Sequence, residues 1–520
     1  MYRKPPTLFS SIVLPAAAAV CLLMPSAVMA DGNLKNVNHI IIVMQENHSF
    51  DNYFGVLAYA PGSPYHSGNG SCSSTDHTCV DGLTCTVSNG TYTCTNSNVN
   101  QSGNKIVVFK ATTRCTVPDL DHSWVGVHYE LNFENPNTGL KDPLNDGFVR
   151  QNFLTEQPNT LYGTMGFYNQ DDLPFYYGLA QNFAINDRQF SSLLGPTFPN
   201  RSYLMAATSF GHLTTSDIVP PVVGYKPITG TIFDQLVKHG ISWADYWEDL
   251  PQDASFRPSD VEHNLPVAEF FLQAAGVGEL PEVSFIDPNF GAISSEAEND
   301  EHPPTDIQRG QYHVSQVINA VRNGPYWKDS VIFILYDEHG GFYDHAKPPR
   351  APQQSARTPD GIFPGQCEDL SLPPLSKRPG GGAECSWNFV STTDTSVNDA
   401  EQLCPAMDSN PTGPFPTSCA SFDQLGIRVP LIAVSPFSKA AYVSHTIGDH
   451  TSMIAFIENR FLPGVHLTKR DLNANDLEDL FDFDNSPSLN TAVGSAQPPQ
   501  DDCTPAPLPG QSMEDYRGWD

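Results

Sequence analysis

The run Ile40-Ile-Ile-Val-Met44 is apolar on both faces and mostly β-branched, and it ends abruptly in Gln45, Glu46 and Asn47. A strand without a polar face has to be covered on both sides, as in a parallel sheet held between two helical layers. Glu46 and Asn47 then fall just beyond its carboxyl end, where open α/β sheets bind their ligands. A second segment is built the same way: Val331-Ile-Phe-Ile-Leu-Tyr336 runs straight into Asp337-Glu-His-Gly-Gly-Phe-Tyr-Asp-His345. Taken singly, polar residues after a strand read as a solvated loop or a helix cap. Two such runs, both ending in adjacent oxygen donors and one followed by the tight-turning pair Gly340-Gly341, point to a metal site on one sheet edge.

A third segment supplies a hydroxyl. Gly195-Pro-Thr-Phe-Pro-Asn-Arg201 leads into residues 202–209, whose composition suits a helix. Pro199 fits a first helical turn. Thr197 then sits at or just before a helix N-terminus, where unpaired N–H groups and the helix dipole favour a phosphate-sized anion. Arg201, one turn on, is placed to add a charged donor to that anion. The alternative for this segment alone is a helix cap at Thr197 and a surface cation at Arg201.

Together, residues 46–55, Thr197-Phe-Pro-Asn-Arg201 and residues 337–345 resemble the bacterial and plant phosphoesterase family, which contains non-specific phospholipases C and an acid phosphatase branch. The resemblance runs from about residue 38 to about residue 465. It implies an alkaline-phosphatase-like core in which one divalent metal ion is held by Glu46, Asn47, Asp337 and Glu338, with Thr197 as both ligand and nucleophile. His122 and His302 look like the family's phosphate-side and leaving-group histidines. The segment around Thr197 also resembles a sulfatase motif, but that chemistry needs Cys or Ser where this chain has Thr. Threonine also matches the phospholipase-like branch better than the phosphatase branch. An all-oxygen ligand set suits calcium, magnesium or manganese, with zinc and iron still open. His339, His345 and His450 carry weaker signals, and residues 449–461 read first as a capped amphipathic helix.

The remaining chain sets the context. Residues 1–30 read as a signal peptide, with Arg3 and Lys4, an apolar stretch from Ile12 to Met24, and a cleavage region ending at Ala30. No later segment has the roughly 18 consecutive apolar residues of a membrane helix, so a secreted or periplasmic protein is expected. Cys21 leaves with the leader, and the even set that remains reads as disulfides rather than zinc ligands. Apart from Cys503 in the tail, these cysteines lie in polar regions of about 60–120 and 350–425. Both regions are too poor in apolar residues for large cores, so they read as disulfide-stapled insertions.

The expected architecture is a three-layer α/β/α sandwich spanning 31–484, followed by an extended tail over 485–520. Further strands are expected at 183–186, 241–244, 283–286 and 429–434, and helices at 172–181, 229–238 and 306–322. The net charge of −31 becomes −33 once Arg3 and Lys4 are removed, which argues against nucleic-acid partners and against adsorption to anionic membranes. The expected substrate is a phosphoester or phospholipid, and the expected activity is of the phospholipase C type through a phosphothreonine. An acid phosphatase is the runner-up, and an exported binding protein without catalysis is the alternative of another class. Nothing in the sequence sets the oligomeric state. Asn47 and Asn200 fit glycosylation acceptor patterns by chance.

Overall fold

The computed structural model describes residues 34–115, 119–132, 144–152, 163–209, 215, 229–256, 261–291, 298–351 and 424–499. The expected leader (residues 1–30), Cys367, Cys385, Cys404, Cys419 and Cys503 lie outside them. Both apolar runs are strands, β1 (His39–Gln45) and β6 (Ser330–Tyr336). Between them come β2 (Ala184–Asn186), β3 (Trp243–Trp247), β4 (Asn264–Pro266) and β5 (Val283–Asp287), and after them β7 (Leu431–Val434) and β8 (Tyr442–Ser444). One sheet orders these strands as β4-β3-β5-β1-β6-β7-β2-β8. Only β7 runs against the others, pairing antiparallel with β6 and with β2.

Helices cover both faces, as the two-sided apolar strands require. They are α1 (Phe50–Phe54), α2 (Trp124–Glu130), α3 (Pro174–Asn182), α4 (Thr197–Ala206), α5 (Ile232–His239), α6 (Val267–Ala274), α7 (Ile307–Asn323) and α8 (Thr451–Phe461). Ile40, Ile42 and Met44 share one core with Leu204 of α4, Phe233 of α5 and Phe456 of α8. Ile41 and Val43 point the other way, into a core with Tyr176 of α3, Phe270 of α6 and Val317 of α7. Strand alternation thus assigns successive side chains to the two cores. The result is the expected α/β/α sandwich.

Boundaries moved where local chemistry outweighed pattern. The strand expected at 241–244 forms at Trp243–Trp247, because Gly240 ends α5 in the left-handed conformation and Ile241 closes the cap. The 60–120 insertion carries disulfides Cys72–Cys79 and Cys85–Cys94. It also guards an edge of the sheet: the Val443 N–H of edge strand β8 donates to the His77 carbonyl (2.9 Å). Residues 485–499 contain no helix or strand, and Val493 and Ala496 pack into the α7-side core. Among the described residues no helix is long and apolar enough to cross a membrane.

A buried ion network ties the insertion to the sheet. Arg428 donates to Asp51 Oδ1 (3.0 Å), to Asp344 Oδ1 (3.1 Å) and to the carbonyls of Asp81 (2.7 Å) and Asp187 (3.0 Å). Removing it strands buried carboxylates, so Arg428→Met is expected to cost about 3–5 kcal/mol by urea denaturation. His345 bridges Asp51 (2.6 Å) and Asp81 (3.2 Å). Burial opposes its charge, but the two carboxylates prevail and raise it from 6.5 to about 10. That stabilisation is complete below the ordinary value and is lost as pH climbs through the raised one. The urea midpoint should fall over that interval in the wild type, and less steeply in His345→Gln.

Candidate active site

β1 and β6 are parallel neighbours whose register sets Gln45 opposite Tyr336. Glu46-Asn47 and Asp337-Glu338 therefore leave the sheet side by side, and all four residues are buried. Asn47 takes a left-handed backbone (φ 62°), and its N–H donates to Asp337 Oδ1 (3.3 Å). The same oxygen accepts from the Glu338 N–H (2.7 Å). Gly340 lies against this turn: a Cβ there would stand 2.2 Å from the Asn47 carbonyl oxygen, and its φ is +62°. Glycine is what lets the two motif loops touch.

Thr197 is the first residue of α4, behind Pro196 at the cap, and is 7% exposed. The helix starts earlier than composition alone suggests. Asn200 fixes the approach: its Oδ1 accepts from the N–H groups of Ser192 (2.9 Å) and Leu193 (3.1 Å), and its Nδ2 donates to the Gly195 carbonyl (2.7 Å). Arg201 joins the helix to the acidic edge. Its Nε donates to Asp337 Oδ2 (3.0 Å), and its Nη2 reaches Glu46 Oε1 (3.1 Å) and the carbonyls of Met44 and Gln45 (both 3.3 Å). Sequence had placed Arg201 on the anion; most of its donors go to carboxylates and carbonyls, and Nη1 has no hydrogen-bond partner among the described residues.

Charge at this edge is unbalanced. Burial, with repulsion from Glu46 and Glu338, pushes Asp337 up to about 8 against the pull of Arg201. Burial also opposes ionisation of Glu338, yet His122 and His339 hold it below the ordinary carboxylate value. Asn47 Oδ1 and Nδ2 and Glu338 Oε1 are buried without a hydrogen-bond partner among the described residues. Orphaned oxygens within a surplus of negative charge fit a hard cation. The Glu46, Asp337 and Glu338 oxygens do not form a tight triad, whereas Asp119, His122 and His302 offer donor atoms within 4.8 Å of one another.

The two expected histidines do meet. Their rings lie 6.0 Å apart, with His302 Nε2 3.7 Å from Asp119 Oδ2. His122 Nδ1 donates to the Leu120 carbonyl (2.8 Å) and His302 Nδ1 to the Pro303 carbonyl (2.6 Å). Burial works against charge on His302, but Asp119, Glu46 and Asp300 outweigh it and raise its pKa to about 9. His450 is structural: burial lowers it to about 4, and it links Ser192 Oγ (3.0 Å) to the Tyr336 carbonyl (3.1 Å). His450 takes the cap position of α8, and Asp449 just before it accepts from the Thr451 N–H through Oδ1 (2.8 Å).

Sequence reading missed several supports. His339 donates to Glu130 Oε2 (2.7 Å) and lies 3.4 Å from Glu338 Oε2. Asp119 and Glu301 were passed over although both lie within a few residues of a chosen histidine. Asn47 and Asn200 are fully buried, which agrees with reading their acceptor patterns as chance.

Arg201 thus joins the buried acidic edge to the helix that begins at Thr197, and the chain is a hydrolase that acts on phosphoric esters. Residues 37–463 match the model of the phosphoesterase family, and the chain belongs to that family. It is 28% identical over 464 residues to "Non-specific phospholipase C1" of Arabidopsis thaliana, covering 87% of this chain and 72% of the relative. It is likewise 28% identical over 523 residues to "Phospholipase C B" of Mycobacterium tuberculosis, covering 91% and 84%. A solved structure of an alkaline phosphatase superfamily protein from Vibrio parahaemolyticus aligns with TM-score 0.29 and 11% identity over 60% of this chain and 65% of that one.

Gly340→Ala is expected to force Asn47 and the 337–341 turn apart. Turnover should fall at least about tenfold, with a strain cost of roughly 1–3 kcal/mol read as a lower Tm.

Proposed function

We propose that the protein is an exported phosphoesterase of the phospholipase C type, cleaving on the glycerol side of the phosphate through a phosphothreonine at Thr197. The observation that carries this reading is Arg201, which fastens the helix beginning at Thr197 to Glu46 and Asp337. The names of the relatives, all phospholipases C among those given above, support the lipid substrate class. Paired cysteines at 72–79 and 85–94 support an oxidising compartment.

Glu46, Asn47, Thr197, Asp337 and Glu338 are the residues assigned to hold one divalent cation. Such a cation, when bound, lowers the cost of deprotonating a hydroxyl and neutralises charge on a phosphoryl oxygen. The chain does the rest. Thr197, its hydroxyl proton lost to solvent, attacks phosphorus in line through Oγ; the P–O bond to the glycerol oxygen breaks, leaving the phosphorylated headgroup esterified to Thr197. The departing alkoxide takes a proton from His302, whose raised pKa keeps it protonated at neutral pH. Free N–H groups in the first turn of α4 and Arg201 Nη1 face the phosphoryl oxygens. Water then attacks this threonine ester, passing a proton to His302, and the departing Thr197 oxygen takes its proton back from solvent. His122 orients the phosphate.

Purified mature protein should release phosphocholine from phosphatidylcholine, lose that activity to chelator, and regain it on metal add-back. Hydrolysis confined to an aryl phosphate monoester would replace this reading with the acid phosphatase. Silence on both substrates after metal add-back would leave the binding protein. Thr197→Ala should lower turnover by about a thousandfold or more with an unchanged fold; full activity would remove Thr197 from the mechanism.

A further inference from the structure

Glu301 is fully buried directly beneath the proposed site, and four donors converge on its carboxylate. Tyr53 Oη donates to Oε2 (2.5 Å), Tyr336 Oη to Oε2 (2.6 Å), Tyr176 Oη to Oε1 (2.6 Å) and Gln45 Nε2 to Oε1 (3.3 Å). These donors come from four places. Gln45 and Tyr336 are the last residues of β1 and β6, immediately before Glu46 and Asp337, while Tyr53 belongs to α1 and Tyr176 to α3. A buried carboxylate placed only for stability would be a costly choice there, since an apolar side chain would need none of these donors.

The backbone around Glu301 is equally constrained. Its φ of +77° is left-handed, an unfavourable conformation for glutamate. Its carbonyl accepts from His48 Nε2 (3.0 Å), and the neighbouring Asp300 carbonyl accepts from the Glu46 N–H (2.8 Å). Gln45 Nε2 also donates to the Asn299 carbonyl (2.9 Å). Space has been left for the carboxylate inside α7: a Cβ on Gly310 would stand 2.1 Å from Glu301 Cγ and 2.3 Å from its Oε1. Glycine inside a helix is unfavourable, and at this position it makes room for the Glu301 side chain. The residue that follows this anchor is His302.

We propose that Glu301 is a positioning residue, a carboxylate anchor that sets His302 against the Glu46 and Asp337 strand ends so that the imidazole meets the leaving-group oxygen. It touches no substrate and acts through His302, so the proposal rests on the leaving-group role given to that histidine. Glutamine at 301 is isosteric but offers one acceptor oxygen to four donors instead of two.

The test compares wild type, Glu301→Gln, Gly310→Ala and His302→Ala, as full mature proteins, on two phosphodiesters. Phosphatidylcholine expels an alkoxide that needs a proton; p-nitrophenylphosphorylcholine expels a phenolate that does not. Glu301→Gln is expected to lower kcat on phosphatidylcholine about a hundredfold with KM within about threefold, yet lower the aryl diester less than about fivefold. Gly310→Ala, which crowds the carboxylate without removing it, should show the same selective loss. Neither change should add to the loss already present in a His302→Ala background. Equal losses on both substrates, or additive losses, would overturn the proposal.

If Glu301→Gln fails to fold, Tyr176→Phe removes one donor that comes from α3, outside the motif segments, and should give a smaller loss of the same selectivity; its absence counts against the anchor. If the wild type turns over neither diester, the proposed function fails on its own. The anchor is then read from the His302 ring resonance in ¹⁵N-histidine-labelled protein, identified by its loss in His302→Ala. A shift in Glu301→Gln supports the anchor, and an unmoved resonance overturns it.

Discussion

β1 and β6 are hydrogen-bonded parallel neighbours in a register that places Gln45 opposite Tyr336, so the two motif segments emerge at one height on one edge. A slip of one residue would exchange Ile40, Ile42 and Met44 with Ile41 and Val43 between two differently packed cores and draw Gln45 and Glu46 into or away from the sheet, so close packing and the polar strand end hold the register. The site inherits its precision from that pairing. Asn47 and Asp337 meet through a backbone N–H, and Gly340 lets the loops close. The chemistry is thus mounted on two central, buried strands rather than on the insertions.

That placement creates an electrostatic problem, which the chain answers in part. Glu46, Asp337 and Glu338 are buried together, and Arg201 is the cation that reaches two of them. Burying one guanidinium against two carboxylates leaves negative charge in excess, and the rise of Asp337 to about 8 expresses it. A divalent cation is the natural complement. The histidines answer from the other side: His122 and His339 favour the ionised form of Glu338, while Asp119 sits between His122 and His302. In the proposed reaction negative charge is packed close to the phosphoryl group, so the positive groups there have to be held firmly; Arg201 is held by Glu46 and Asp337, and the proposed anchor at Glu301 would hold His302.

Much of this was legible in the sequence for a physical reason. Strands apolar on both faces exist only between two covering layers, so β1 and β6, and the oxygen-donor pairs Glu46-Asn47 and Asp337-Glu338 after them, announced both the architecture and the edge. Thr197 was legible because proline and a helix-forming run mark a helix start. What escaped depends on distant residues. The apolar run at Leu431–Val434 carries no sign of direction, so the antiparallel β7 could not be read. Glu301 looked like a neighbour of His302, because its meaning lies in Tyr53, Tyr176 and Tyr336, which are far apart in the chain and converge only after folding. The ion pairs of Arg201 with Glu46 and Asp337 were equally hidden, because spacing shows what a helix turn can present, not which carboxylates stand near it.

The central claim is that Thr197 is the group that takes the phosphoryl. Acid quenching of the enzyme during turnover of p-nitrophenylphosphorylcholine, followed by peptide mass spectrometry, tests it most directly. The account requires a peptide carrying one phosphocholine group esterified to Thr197, present during turnover and absent after substrate is exhausted. Sustained turnover with Thr197 unmodified, or with the label on another side chain, would contradict it.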